Sequence, residues 1–110
     1  MRMAMGLVIL LLPTATATAD PIKGAGAMSC SQWVEERRQN TYAEPLHWIL
    51  GFISAYNQYV YSGNNPNGIF GSADYKAIAV WMDNYCQQNP FGNAYKGITL
   101  LTEELRRRAN

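Results

Sequence analysis

This 110-residue chain is short of the groups that do chemistry. Histidine occurs once, at His47, and cysteine twice, at Cys30 and Cys86. One imidazole and two thiols make no metal-ligand set. A Ser–His pair needs an orienting acid at close range, and Ser54, seven residues beyond His47, lies two helical turns away. The acidic residues are scattered, so no paired carboxylates point to glycosidase chemistry. No glycine-rich phosphate loop joins a strand to a helix. Charge of either sign is scarce: nine basic residues face eight acidic ones. That balance excludes long-range attraction to nucleic acid or to an anionic membrane. The one charge run, Arg106-Arg107-Arg108, reads as a solvated helix end, because successive helical residues point in different directions. The composition implies no cofactor, no metal and no catalytic residue, and the reading is non-enzymatic.

No apolar run is long enough to span a bilayer. The longest lies at the start. Arg2 precedes an apolar stretch from Met3 to Leu12, then Pro13 and small residues ending in Ala17-Thr18-Ala19. A basic start, a short apolar core and an A-x-A site describe a secretory signal peptide over residues 1–19. Cleavage is expected after Ala19, with Ala27 as the alternative, and no membrane span is expected in the mature chain. Export places the protein in an oxidising compartment, where Cys30 and Cys86 are expected to form a disulfide. About ninety mature residues make one domain, small enough for a covalent staple to matter.

Residues 20–28 (DPIKGAGAM) lack periodicity and read as a flexible lead to a helical domain over residues 29–108. Ser29 and Gln32 have capping-box spacing, so a first helix starts at Cys30, with Trp33 and Val34 on the cysteine's face. A second is expected from Pro45 to Tyr61. Trp48, Ile49, Phe52, Ile53, Ala55, Tyr56, Tyr59 and Val60 fill one broad arc, and His47, Gly51, Ser54 and Gln58 the other side. No charged residue occurs between Glu44 and Asp74, so this helix is expected at the centre of the fold, with Gly51 marking close helix contact. Asn57, at the margin of the apolar arc, must find a partner.

Residues 62–71 (SGNNPNGIFG) are dense in turn formers. Ile69 and Phe70 either tuck into the core as a lid or form an exposed contact. A third helix is expected from Ser72 as N-cap to Gln88, with Tyr75, Ile78, Trp81, Met82, Tyr85 and Cys86 inward and Asp83 outward. Asn89-Pro90 is expected to open a fourth helix carrying Phe91, Ala94, Tyr95, Ile98, Leu101 and Leu105 on one face. Glu103 with Arg107, and Glu104 with Arg108, form i,i+4 pairs. The expected fold is all-α: a compact four-helix bundle with one disulfide. Its structural core residues would include Trp33, Trp48, Gly51, Phe52, Tyr56, Trp81, Tyr85 and Pro90.

The order of features carries a resemblance. A signal peptide leads to Cys30-x-x-Trp33, then Trp48-Ile49-Leu50-Gly51-Phe52, then Trp81-Met82-Asp83-Asn84-Tyr85-Cys86, Asn89-Pro90 and a leucine-bearing last helix. This pattern resembles the small exported immunity proteins of the Rap/Tai group, which protect type VI secretion bacteria from peptidoglycan amidase effectors and are similar in fold to HdeA-type acid-stress chaperones. The resemblance spans Cys30 to Leu105. It implies a periplasmic homodimer or small oligomer whose loop blocks an amidase cleft, with Ile69, Phe70, Asn67, Tyr61 and Tyr59 as the partner-binding residues. The alternative it implies is an HdeA-like periplasmic chaperone that opens in acid, or an envelope structural protein with no toxin partner. Core motifs report a scaffold more than a task.

Overall fold

A computed structural model describes residues 3–4, 6–12 and 21–109. Arg2 and the expected cleavage site after Ala19 lie outside them. Residues 6–12 form no helix, and Leu7 to Leu12 are 71–90 % exposed. Four α-helices and one disulfide make up the rest: α1 (Cys30–Gln39), α2 (Ala43–Tyr59), α3 (Tyr75–Gln88) and α4 (Ala94–Ala109). Among the described residues there is no strand, only an isolated bridge between Ser29 and Asn93. The chain is extended rather than compact, 81 × 37 × 23 Å with a radius of gyration of 21.5 Å, where a compact chain of this length has about 13 Å. The expected compact bundle therefore does not describe the chain as a whole, although the four helices share one core.

That core is built from Trp33 of α1, Leu46, Ile49 and Ile53 of α2, Ile78 and Met82 of α3, and Ile98, Leu101 and Leu105 of α4. Cys30 and Cys86 are buried within it and bonded to each other. The disulfide joins the start of α1 to the end of α3. Further along α1, the Trp33 Nε1–H donates to Asp83 Oδ1 at 2.9 Å, and Arg37 donates to both oxygens of Asp83, at 2.7 Å from Nη2 to Oδ2. Residue numbers rise along α1 as they fall along α3, so the two helices run antiparallel. Asp83, expected outward, is instead the acceptor on which α1 closes. Arg37 also lies over the Tyr42 ring, 4.4 Å from its centroid.

The caps explain where elements start and stop. The Ser29 hydroxyl accepts from the Gln32 N–H at 3.1 Å, as the spacing predicts. Asn40 ends α1 in the left-handed region, at φ 59°. The α2 helix begins two residues before Pro45, whose missing N–H falls among those that find no partner within a helix start. The expected Ser72 cap is displaced: Ala73 N–H bonds to Phe70 O, and Asp74 caps α3 by accepting from Ala77 N–H at 2.8 Å. The start expected at Asn89-Pro90 is also displaced. A turn closes from Gly92 N–H to Asn89 O, and Asn93 caps α4 by accepting from Lys96 N–H at 2.9 Å. Pro90 and Phe91 are consequently exposed, Phe91 fully.

The α2 helix is not buried all round. Pro45, Leu46, Ile49 and Ile53 face the core, but Tyr59 and Val60 are 88 % and 61 % exposed. Gly51 is exposed, and a Cβ there would meet nothing within 4 Å, so it marks no helix contact. The close approach lies at Gly97, where a Cβ would stand 2.6 Å from the Tyr85 ring. Trp48, Phe52, Tyr56, Trp81 and Tyr85 are half-buried around the core rather than inside it. On α4, Glu103 pairs with Arg106 instead of Arg107, while Glu104 pairs with Arg108.

Residues 21–28, expected as a flexible lead, are tied down. A 3-10 turn at Ala25–Ala27 sets Gly26 against the Trp48 ring, with no room for a side chain between them. Trp48 Nε1–H donates to Lys23 O at 3.0 Å. Ala94 N–H bonds to Met28 O at 2.8 Å and Cys30 N–H to Gly92 O at 2.9 Å, which fixes the start of α1 beside the start of α4.

Candidate functional site

The α2–α3 connection forms the rim of a cleft of about 630 Å³. Its lining includes Ser54, Asn57 and Gln58 from α2 and Tyr61, Asn65, Asn67 and Phe70 from the connection, and no charged residue. The connection is held by its own polar groups. Ile69 is 1 % exposed and plugs the core. Its N–H donates to Asn57 Oδ1 at 2.9 Å, which answers the question of that side chain's partner. Gly68 lies against Asn57 with φ 59°, so both space and backbone conformation favour glycine there. The Tyr61 hydroxyl accepts from Asn65 N–H at 3.0 Å, and Asn65 Oδ1 from Asn67 N–H at 2.9 Å. Asn67 Nδ2 donates back to Gly71 O at 3.3 Å.

The structure therefore separates the expected contact residues. Tyr61, Asn67 and Phe70 gather at the cleft. Ile69 is withdrawn from the surface and acts as the anchor, the lid alternative of the two considered. Tyr59 is exposed but outside the lining. Gln58, Asn65 and Pro66 join the cleft without having been named as contact residues; the run Asn64-Asn65-Pro66-Asn67 is the signal that marks Asn65 and Pro66, and the polar side of α2 the one that marks Gln58.

His47 is exposed and lines a separate cavity of about 360 Å³ with Tyr42, Leu46, Leu50 and Tyr75. Among the described residues, no group of three or more His, Cys, Asp or Glu is placed to hold a metal ion. None of their helices is long and apolar enough to cross a membrane. Among the described residues, the shifted ionisations all belong to ion pairs away from the cleft. A hydrogen bond from Arg38 holds the Glu35 carboxyl below its usual range, and one from Arg106 does the same for Glu103. The Arg37 guanidinium is raised by its hydrogen bond to Asp83.

Comparison of the chain with protein-family models, curated proteins and solved structures gives no significant match.

Proposed function

We propose that this chain is an exported, non-enzymatic protein-binding domain, and that the Tyr61–Ala73 connection is its binding surface. The supporting observation is that this surface is charge-free and pre-formed: an internally hydrogen-bonded loop pinned to the core through Ile69. Binding through a loop already in shape loses less entropy than ordering a free one. Amide and tyrosine groups on a fixed loop suit a partner's backbone and neutral polar groups. With the resemblance of the cysteine and tryptophan pattern, the specific reading is a periplasmic immunity protein that inhibits a peptidoglycan amidase effector. The helical part, residues 29–108, would then be an HdeA-like bundle.

The test is affinity capture with residues 20–110 as bait on the producing cell's envelope fraction, followed by mass spectrometry. The expected catch is one stoichiometric partner with a Cys/His hydrolase domain. Asn65→Asp with Asn67→Asp places two charges on the uncharged rim and should abolish that capture while the far-ultraviolet signal stays unchanged. Capture unaffected by the double variant would reject the surface. A loose set of unrelated envelope proteins, enriched after acid treatment, would replace immunity by the chaperone reading.

A further inference from the structure

The α3–α4 groove, on residues that line no part of the loop cleft, measures about 560 Å³. Its volume lies within the range of small-ligand sites. Two aromatic rings, with Leu100 beside them, form its apolar element. Trp81 and Tyr85, one helical turn apart, are parallel within 8° with centroids 5.9 Å apart. Both are held in place before any ligand arrives. The Trp81 Nε1–H donates to Glu104 across the α3–α4 interface. Tyr85 lies over Gly97, where even a methyl group would stand 2.6 Å from the ring.

The rest of the lining is mostly amide. Asn84, Gln88 and Asn89 contribute side chains, Lys96 adds one cation, and no carboxylate belongs to the lining. Among the described residues, the Asn84 and Gln88 side chains make no hydrogen bond within the protein. Asn89 spends only its Nδ2, on Tyr85 O at 2.9 Å. The groove thus combines oriented aromatic surface with unspent amide donors and acceptors.

We infer that this groove binds an uncharged oligosaccharide, with sugar C–H faces against Trp81 and Tyr85 and ring hydroxyl or acetamido groups bonded to Asn84, Gln88 and Asn89. A pyranose presents that same combination, apolar C–H groups on its faces and hydrogen-bonding groups round its edge. The single Lys96 gives too little positive charge for a phosphate polymer, which is held mainly by multiple cations. A purely apolar ligand would make no use of the amide rim. The groove is independent of the loop cleft, and this inference stands whether or not that surface binds a protein.

The experiment titrates the protein with chitotetraose and, separately, with cellotetraose, following ¹H–¹⁵N signals of the Trp81 indole and the Asn84 and Gln88 side-chain amides. The two probes separate acetamido recognition from hydroxyl recognition. The expected result is a saturable shift of those signals with at least one probe, at a Kd near about 1 mM, weakened at least about tenfold in Asn84→Ala/Gln88→Ala. Both positions are exposed, so that variant keeps the fold. No shift with either sugar at about 10 mM, about ten times that Kd, would overturn the inference. So would an affinity unchanged in the double variant, or saturable shifts confined to other residues.

Discussion

Asp83 holds the α1–α3 contact, and its removal gives the sharpest test of how this fold is fastened. It accepts from Trp33 Nε1 and from both Nε and Nη2 of Arg37. Trp33 is fully buried, so Asp83→Ala strands an indole N–H away from water, which costs about 1–3 kcal/mol. The charged bonds to Arg37 add about 1.5–3 kcal/mol when well shielded. The Arg37 and Asp83 side chains are 26 % and 33 % exposed, however, and solvent lowers that contribution toward about 1 kcal/mol. The sum is about 3 kcal/mol. At about 4–8 °C per kcal/mol for a domain of this size, the midpoint falls by roughly 15 °C. Asp83→Asn keeps an acceptor for Trp33 and loses the charge, so it should cost only about 1 kcal/mol. Urea unfolding followed by tryptophan fluorescence and far-ultraviolet dichroism measures all three proteins. An Asp83→Ala cost below about 0.5 kcal/mol, the scatter of ordinary surface changes, would refute the reasoning. So would an Asp83→Asn cost equal to that of Asp83→Ala.

Further predictions follow from other contacts. Reducing Cys30–Cys86, separated by 56 positions, should cost roughly 4 kcal/mol by the loop-entropy relation, and an unchanged thermal midpoint in reductant would oppose that. The same substitution should have opposite signs at two glycines. Gly51→Ala, in open space, should stabilise by about 0.5–1 kcal/mol. Gly97→Ala drives a methyl into Tyr85 and Met82 and should lose about 1 kcal/mol net, after overpacking of about 1–3 is set against the propensity gain. Thermal melts of both variants check the pair. The lowered Glu35 and Glu103 carboxyls contribute stability that is fully present above the unfolded value near 4.5 and is lost as pH falls through their folded values. Glu35→Gln/Glu103→Gln should therefore flatten the midpoint-against-pH curve only in that acid window, and an equal effect at pH 7 and pH 3 would contradict the assignment.

The sequence by itself determined what local chemistry and periodicity control. The helical class follows from apolar spacing, the start of α1 from the Ser29 cap, and the Cys30–Cys86 pairing from there being only two cysteines in a chain read as exported. Where two local signals competed, only tertiary contacts chose between them. Ser72 and Asp74 can each cap α3, and the turn closed by Ala73 and Phe70 leaves the role to Asp74. Asn89 and Asn93 can each open α4, and the bond from Ala94 to Met28 accompanies the later start. Asp83 looks outward on a helical projection, because a projection of one helix carries no information about a neighbour's arginine and indole. Glycines show the same limit: Gly51 and Gly97 read alike in sequence, yet one faces open space and the other an aromatic ring. The same reason governs the sites. Charge-free turn residues marked the 62–71 segment, but whether Ile69 faces solvent or core depends on the space that α2 and α4 leave for it. The α3–α4 groove exists only because the turn at Asn89–Asn93 brings two successive helices side by side, with Tyr85 of one set against Gly97 of the other.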